Sequence, residues 1–237
     1  MSRRLVVVSA HSADFVWRAA GAIATVTASG GSATVVSLSY GERGESGELW
    51  KDEGQTVENV KRIRHGEAEA AANILGAELV CLDRGDYPLL MDAAAVEQLT
   101  DLMRELEPDV VLGHARHDPF NSDHAVASDA TIQARQLASG AGVASGFKTI
   151  VPPGLLLFEP HQPELCGFVP TTFLDITPVW EQKVAAMEAM GAQQYLRQYY
   201  TERAGHRANH ARRISGQAGV KYAEAFQREI PQVVDAL

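Results

Sequence analysis

The sequence predicts an α/β fold of the Rossmann-like type, with a mostly parallel sheet and helices on both faces. First, β-branched apolar runs of strand length alternate with longer segments of helical period along the first half of the chain. Second, these runs are apolar without interruption, which is typical of strands covered on both faces. Strand–helix alternation of this kind indicates βαβ units and a parallel sheet.

The first half contains four predicted strands and three predicted helices. The run LVVVSA is the first strand, and ATVVSLS is the second. The three helices end at the pair Gly30 and Gly31, at Gly76 and before Pro108, which are ordinary helix stops. The predicted strands cover residues 5–10, 33–39, 78–82 and 109–113, and the helices cover 15–29, 57–75 and 93–106. The Gly- and Glu-rich residues 40–54 are predicted to form a loop.

The second half is less regular, and we predict helices at residues 124–138, 178–190 and 194–215 with strands at 154–159 and 172–176. No internal repeat or linker composition divides the chain. We therefore expect residues 1–237 to form a single α/β domain, a common size for this class.

Composition excludes several functions. A net charge of −9 and a pI near 5.4 argue against nucleic-acid and anionic-membrane partners. No apolar segment approaches the ~20 residues needed to span a bilayer, and the N-terminal apolar run is too short for a signal peptide. Cys81 and Cys166 are too few for a disulfide framework. These observations favour a cytoplasmic enzyme or binding protein.

Polar side chains follow each predicted strand of the first half. Because ligands bind at the carboxyl ends of parallel strands, these side chains are expected to meet along one rim. His11 and Asp14 stand three residues apart after the first strand, and Asp123–His124 follows the fourth. Asp14 alone could be simply a helix N-cap. Two histidines and one carboxylate, with a fourth position open, are however common ligands of catalytic zinc.

The strand–His–x–x–Asp–helix start, the later Asp–His pair and the helix RIRHGEAEAAANILGA resemble the PIG-L/LmbE-like family of zinc proteins. The resemblance covers most of the chain, and most clearly the first 130 residues or so. It implies an LmbE-like fold and a Zn²⁺ ion bound by His11, Asp14 and His124. The family is best known for N-deacetylases of amino sugars, and members with this fold are often homo-oligomers.

The leading motif departs from the family pattern Ala-His-Pro-Asp-Asp-Glu. The chain reads AHSADF, so that Ser12 replaces proline, Phe15 replaces glutamate, and Ala13 stands where the family has its general-base aspartate. Alanine cannot accept a proton. The resemblance therefore implies a metal site that has lost the base used for amide hydrolysis.

Three segments, AHSADFVWRAAGAIA, SYGERGESGELW and LLLFEPHQPE, resemble a hydratase branch of the family that acts in gallate degradation. The implied reaction adds water to the carbon–carbon double bond of a small unsaturated oxo-tricarboxylate. Two other hypotheses remain at this point. One is a zinc deacetylase that uses Glu45 or Asp123 as a substitute base, and the other is an inactive metal-bearing binding module.

A hydratase needs acid–base groups for the proton and cations for the carboxylates. Glu45 is the first candidate for the proton, because flanking glycines allow its loop a close approach, although it could be a solvated loop carboxylate. His161, between two prolines in EPHQPE, is the second. Asp123 either orients a metal-binding histidine or is a third acid–base group. The candidate substrate-binding arginines are Arg18, Arg43, Arg116 and Arg207. Each of them could instead form an ordinary surface salt bridge.

Overall fold

In the computed structural model, which describes residues 3–231 and 233, seven strands form one sheet in the order β3-β2-β1-β4-β5-β7-β6. Its strands are β1 (Arg4–Ser9), β2 (Ser32–Ser37), β3 (Glu78–Cys81), β4 (Val110–Gly113), β5 (Gly154–Phe158), β6 (Thr172–Asp175) and β7 (Ala223–Arg228). The pairs among β1 to β5 are all parallel, whereas β7 runs antiparallel to both β5 and β6. The predicted mostly parallel α/β fold is therefore confirmed, with an antiparallel edge.

The helices cover both faces of the sheet. They are α1 (Asp14–Ala28), α2 (Val57–Leu75), α3 (Ala93–Leu106), α4 (Ser122–Ala138), α5 (Trp180–Glu188) and α6 (Arg197–Ser215). One core joins α1, α2 and α5 to one face of the sheet, and it includes Phe15, Leu75 and Met187. A second core joins α3 and α4 to the other face, and it includes Leu99 and Leu155. Burial of both sheet faces explains why the central strands are apolar throughout.

Local signals set several helix ends. The Thr56 side chain accepts a hydrogen bond from the Asn59 backbone N–H and caps α2, which ends at Gly76 with a φ of +70°. The Asn121 side chain caps α4, so that this helix begins two residues before the predicted position. The N-cap of α1 is Ala13, and no side chain caps it. Asp14 lies inside the first turn instead, which rules out the interpretation of this residue as a simple cap.

The structure differs from the sequence-based prediction in the second half. Strand β7 was not predicted, because its residues AEAFQR show no apolar run. The helix predicted at 194–215 begins only at Arg197, since Gly191–Leu196 forms a 3-10 turn in which Gln193 has the non-helical φ/ψ of −132° and 29°. No helix in the described part of the chain is both long and apolar enough to cross a membrane.

Candidate active site

The residues predicted to bind metal converge at the carboxyl ends of β1 and β4. His11 lies in the turn after β1, Asp14 in the first turn of α1 and His124 in the first turn of α4. Each residue offers one ligand atom, and these atoms all lie within 4.8 Å of one another. Because β1 and β4 are neighbouring parallel strands, two segments more than 100 residues apart in sequence deliver their ligands to one point.

The histidine nitrogens are arranged as in known metal sites. His11 Nδ1 and His124 Nε2 are buried and have no hydrogen-bond partner. The other nitrogen of each ring faces a carboxylate, at 3.2 Å from His11 Nε2 to Asp123 Oδ2 and 2.8 Å from His124 Nδ1 to Asp118 Oδ2. Metal-binding histidines are usually oriented in this way. The two free nitrogens and the Asp14 carboxylate therefore fit the donor set of a zinc ion.

Burial and neighbouring charges shift the pKa of all three residues of the triad. Burial opposes ionisation of Asp14, but His114, His124 and His11 hold the pKa of its carboxyl well below the usual range. Burial likewise opposes a charge on His11, but hydrogen bonds to Asp123 and Asp14 raise its pKa to about 10. Burial, together with the neighbouring His114 and Arg18, lowers the pKa of His124 to about 3, so this ring is neutral near pH 7, the form that binds a metal.

Asp123 lies behind His11. Its carboxylate accepts hydrogen bonds from His11 and from the backbone N–H groups of Tyr87 at 2.9 Å and Leu89 at 3.0 Å. Burial would raise the pKa of Asp123, yet the His11 contact and the two backbone donors lower it to about 2. The residue does not line the cavity above the triad. Its geometry therefore matches the expected orienting role more closely than an acid–base role.

A cavity of about 260 Å³ opens above the triad, and Ala13 lies on its wall. Glu45 and His161 also line this cavity, as do several neutral hydrogen-bonding side chains. These neutral side chains are Trp17, Tyr87, Asn121, Gln162, Gln193, Tyr195 and Tyr200. A polar cavity with a metal-type donor set at its base has the features of an enzyme active site.

Glu45 reaches the triad from the loop after β2. Its Oε1 lies 4.0 Å from His11 Nδ1 and accepts a hydrogen bond from Asn121 Nδ2 at 2.8 Å. The loop closes over the site at Gly44, where a Cβ atom would stand 2.2 Å from the Tyr87 ring. Any side chain at position 44 would require the Tyr87 ring to shift. The loop after β2 therefore brings the Glu45 carboxylate to the candidate metal site. The motif after β1 has alanine, and no carboxylate, at position 13.

Two further candidates line the cavity. Arg18 lies one helical turn after Asp14, is 8% exposed, and its Nε lies 3.5 Å from Asp14 Oδ1 without forming a hydrogen bond. His161 follows β5, and its ring stacks on Tyr199 with 4.2 Å between centroids. Burial, followed by the charges of Arg18 and Arg203, lowers the pKa of His161 to about 4, so that its ring is neutral near pH 7.

The other predicted arginines lie away from the cavity. Arg43 is half-exposed and donates to the Asp86 backbone carbonyl at 2.9 Å. Arg116 is also half-exposed and pairs with Glu229 at 2.5 Å. Arg207 pairs with Glu159, with 2.9 Å between Nε and Oε2. Each guanidinium has a partner distant in sequence, so a predicted position near the rim did not determine where the side chain points.

Several residues that the sequence did not single out line the cavity or support the triad. Asp118 orients His124, Tyr87 packs over the Glu45 loop, and Gln193 donates to Glu45 Oε2 at 3.0 Å. Asp118 lies in the polar segment after β4 and was recognisable as a rim residue. Gln193 gave no signal, because it comes from an irregular turn near the C-terminal helices.

The fold and this site define the class of protein: an α/β protein with two buried histidines and one carboxylate, a candidate metal site, at the carboxyl ends of its parallel strands. Residues 6–135 match the PIG-L family, described as GlcNAc-PI de-N-acetylase. The chain is also 46% identical over 235 residues to a 4-oxalmesaconate hydratase of Pseudomonas putida, covering 98% of this chain and 91% of the relative. The chain belongs to the PIG-L family.

Solved structures of a hydratase and a deacetylase are similar to this chain. GalB, the 4-carboxy-2-hydroxymuconate hydratase from Pseudomonas putida KT2440, matches with a TM-score of 0.95 and 45% identity over 98% of both chains. The N,N'-diacetylchitobiose deacetylase from Pyrococcus horikoshii matches with a TM-score of 0.79 and 20% identity, over 95% of this chain and 83% of that one. The second likeness supports the fold alone.

Proposed function

We propose that the chain is a zinc-dependent hydratase that adds water to the C=C bond of 4-oxalomesaconate. The product is 4-carboxy-4-hydroxy-2-oxoadipate, an intermediate of gallate degradation. The near full-length identity to hydratases from Pseudomonas putida supports this substrate. The structural observation that supports this reaction type concerns Ala13 and Glu45. Ala13 provides no carboxylate at the position of the family's hydrolytic base, and the Glu45 carboxylate reaches the triad from another loop.

The metal assignment is part of the proposal. His11 Nδ1, His124 Nε2 and Asp14 would hold the ion, with Asp123 and Asp118 fixing the two rings. When bound, zinc supplies Lewis acidity, which polarises oxygen ligands and lowers the pKa of water. His and carboxylate ligands also suit other divalent metals, and metal analysis of the purified protein distinguishes them.

Glu45 is the proposed proton acceptor. Its carboxylate accepts hydrogen bonds from neutral donors only, so it keeps the acceptor character that a general base needs. As the oxygen of water bonds to one carbon of the double bond, Glu45 takes the released proton. The π-electron pair moves to the adjacent carbon, which is conjugated to a carbonyl group. That carbon then takes a proton from protonated Glu45, and the neutral ring of His161 is the alternative proton acceptor on the cavity wall.

Arg18 is the proposed carboxylate anchor. It is the one arginine that lines the cavity within the described chain, and a guanidinium can bind a carboxylate through two parallel hydrogen bonds. Its position one turn after Asp14 fixes the distance between the anchored carboxylate and the metal site. The remaining carboxylates of the substrate meet neutral donors on the cavity wall such as Gln162.

The proposal also includes a cytoplasmic location and a homo-oligomeric state. Cys81 and Cys166 are free thiols, in keeping with a reducing compartment. Large apolar side chains, among them Phe120 at 56% exposure and Tyr195 at 64%, lie at the cavity and offer a surface for subunit contact. Light scattering on the purified protein measures the oligomeric state directly.

A paired assay tests the reaction type. The hydratase should remove the ultraviolet absorbance of 4-oxalomesaconate and release no acetate from N-acetylated amino sugars. Removal of the metal with a chelator should abolish turnover, and zinc should restore it. Acetate release without hydration would instead identify a deacetylase with a substitute base, and no turnover of either substrate would identify a metal-bearing binding module.

A further inference from the structure

We infer that Gln193 is a positioning residue for Glu45, and that Arg64 in α2 fixes the orientation of Gln193. The inference rests on the proposed function, in which Glu45 moves the proton. It assigns a role to Arg64 and Glu67 of the RIRHGEAE segment, which do not line the cavity, and to the irregular turn Gly191–Leu196.

The Gln193 side-chain amide can adopt only one orientation. Its Oε1 accepts hydrogen bonds from Trp17 Nε1 at 3.2 Å and Arg64 Nη2 at 3.1 Å. Indole and guanidinium groups are donors only, so the amide oxygen must face them. The amide nitrogen is thereby directed to Glu45 Oε2, at 3.0 Å. A rotated amide would place donors against donors and an oxygen against a carboxylate.

The α2 helix also holds the backbone of this turn. Arg64 is fully buried and pairs with Glu67 at 2.7 Å. The second oxygen of Glu67 accepts a hydrogen bond from the Ala192 backbone N–H at 2.8 Å. One ion pair on α2 therefore fixes both the main chain beside Gln193 and its side-chain amide. Both groups of this buried ion pair therefore act on the same turn.

The geometry at Glu45 explains why this contact matters. Asn121 and Tyr87 both donate to Oε1, the oxygen that lies 4.0 Å from His11 Nδ1. Gln193 is the donor to Oε2. With both oxygens held, the carboxylate cannot rotate about its Cγ–Cδ bond. Loss of the Gln193 donor would free that rotation, and small misplacements of a catalytic group have large effects on rate.

Two substitutions separate positioning from a merely structural role. Gln193→Met removes both sets of contacts, whereas Gln193→Glu keeps acceptors for Arg64 and Trp17 but replaces the donor to Glu45 with a carboxylate. A structural role predicts that Gln193→Glu is the milder change. Positioning of Glu45 predicts that both variants lower kcat by roughly 10–100-fold with KM changed by less than about threefold. Gln194→Met is the matched control, because that amide contacts only backbone carbonyls of residues 187, 188 and 190.

A double-mutant cycle tests whether Gln193 acts through Glu45. In a Glu45→Gln background, adding Gln193→Met is expected to change kcat by less than about twofold, since the group it positions is already lost. An undiminished effect in that background, or a rise in KM alone, overturns the inference and makes Gln193 a structural or a substrate-binding residue.

A crystal structure keeps the test independent of activity. In Gln193→Met the Glu45 carboxylate is expected to leave its position beside His11, with the fold unchanged. If the wild-type protein shows no hydration, the proposed function fails while this measurement still decides the positioning role. An unmoved Glu45 in the variant contradicts the inference whatever reaction the enzyme catalyses.

Discussion

Asp123 Oδ2 lies 3.2 Å from His11 Nε2, while His11 Nδ1 points into the candidate metal site without a hydrogen-bond partner. Asp123 is also held by two backbone N–H groups, so the carboxylate has little freedom to move. It therefore fixes both the tautomer and the plane of the His11 ring. The proposed zinc site thus depends on a residue that never touches the cavity.

The Asp123–His11 contact predicts a specific metal-binding defect. Asp123→Asn removes the negative charge that supports the ligand ring, and zinc affinity is expected to fall by about 10–100-fold. Competition with a chromogenic chelator measures the change. Asp129→Asn is the control, because Asp129 lies on the same helix but is exposed. Wild-type affinity in Asp123→Asn would contradict the orienting role.

The ligand assignment predicts joint loss of metal and activity. His11→Ala or His124→Ala removes one of two imidazole ligands, so the purified variants are expected to contain no stoichiometric zinc and to have no measurable turnover. Elemental analysis and the hydration assay measure the two properties on one sample. His117→Ala, an exposed histidine in the loop before α4, should retain both. Full zinc content in either ligand variant would show that the ion is bound elsewhere.

The proton role of Glu45 predicts that its substitution lowers turnover and leaves the zinc content unchanged. Glu45→Gln preserves the side-chain shape but cannot accept the proton, so kcat is expected to fall by about 10²–10⁴-fold with zinc retained. Glu48→Gln is the control in the same loop, since Glu48 is exposed and pairs with Lys51 at 2.6 Å. An unchanged kcat in Glu45→Gln would transfer the proton role to His161.

The central fold was predictable because its physical signals are local. Apolar β-branched runs and glycine stops marked β1 to β4 and their helices within a few residues of the observed ends. Strand β7 was missed because its Glu224 is buried, where it pairs with Lys183 at 2.6 Å. A charged residue in a short segment indicates exposure unless its partner is known. That partner is 41 residues away in sequence.

In the candidate site, the metal ligands were easier to predict from the sequence than the arginines. His11 and Asp14 follow the end of β1, and His124 lies in the first turn of the helix that follows β4, so the parallel topology brought them together. The arginines were harder to predict, because a long side chain near the rim can point to the cavity, as Arg18 does, or to a carboxylate such as Glu229, as Arg116 does. Contacts with residues distant in sequence determine where each arginine side chain points.

The different positions of Arg18 and Arg116 predict opposite kinetic results. Arg18→Lys keeps a positive charge but loses the planar fork, and KM is expected to rise by about tenfold or more, since charged hydrogen bonds contribute roughly 1.5–3 kcal/mol. Arg116→Met removes a half-exposed side chain outside the cavity and should leave KM unchanged. Initial-rate kinetics on both variants measure this. A raised KM in Arg116→Met would restore the sequence-based assignment of that residue to substrate binding.

The lowered pKa of His161 predicts a pH dependence of stability. Its pKa is about 4 in the folded chain and 6.5 ordinarily, so between these values the unfolded chain binds a proton that the folded chain does not. The free energy of unfolding therefore falls as pH decreases from 6.5 towards 4, by an amount on the order of 1–3 kcal/mol from this group.

His161→Gln removes this pH-dependent part of the free energy of unfolding. Thermal unfolding of metal-free protein at several pH values should show a smaller loss of Tm for His161→Gln, whereas His206→Gln, in the exposed part of α6, should behave as wild type. Parallel curves for wild type and His161→Gln over this range would show that His161 is not buried as a neutral ring, and its assignment as a neutral group on the cavity wall would be wrong.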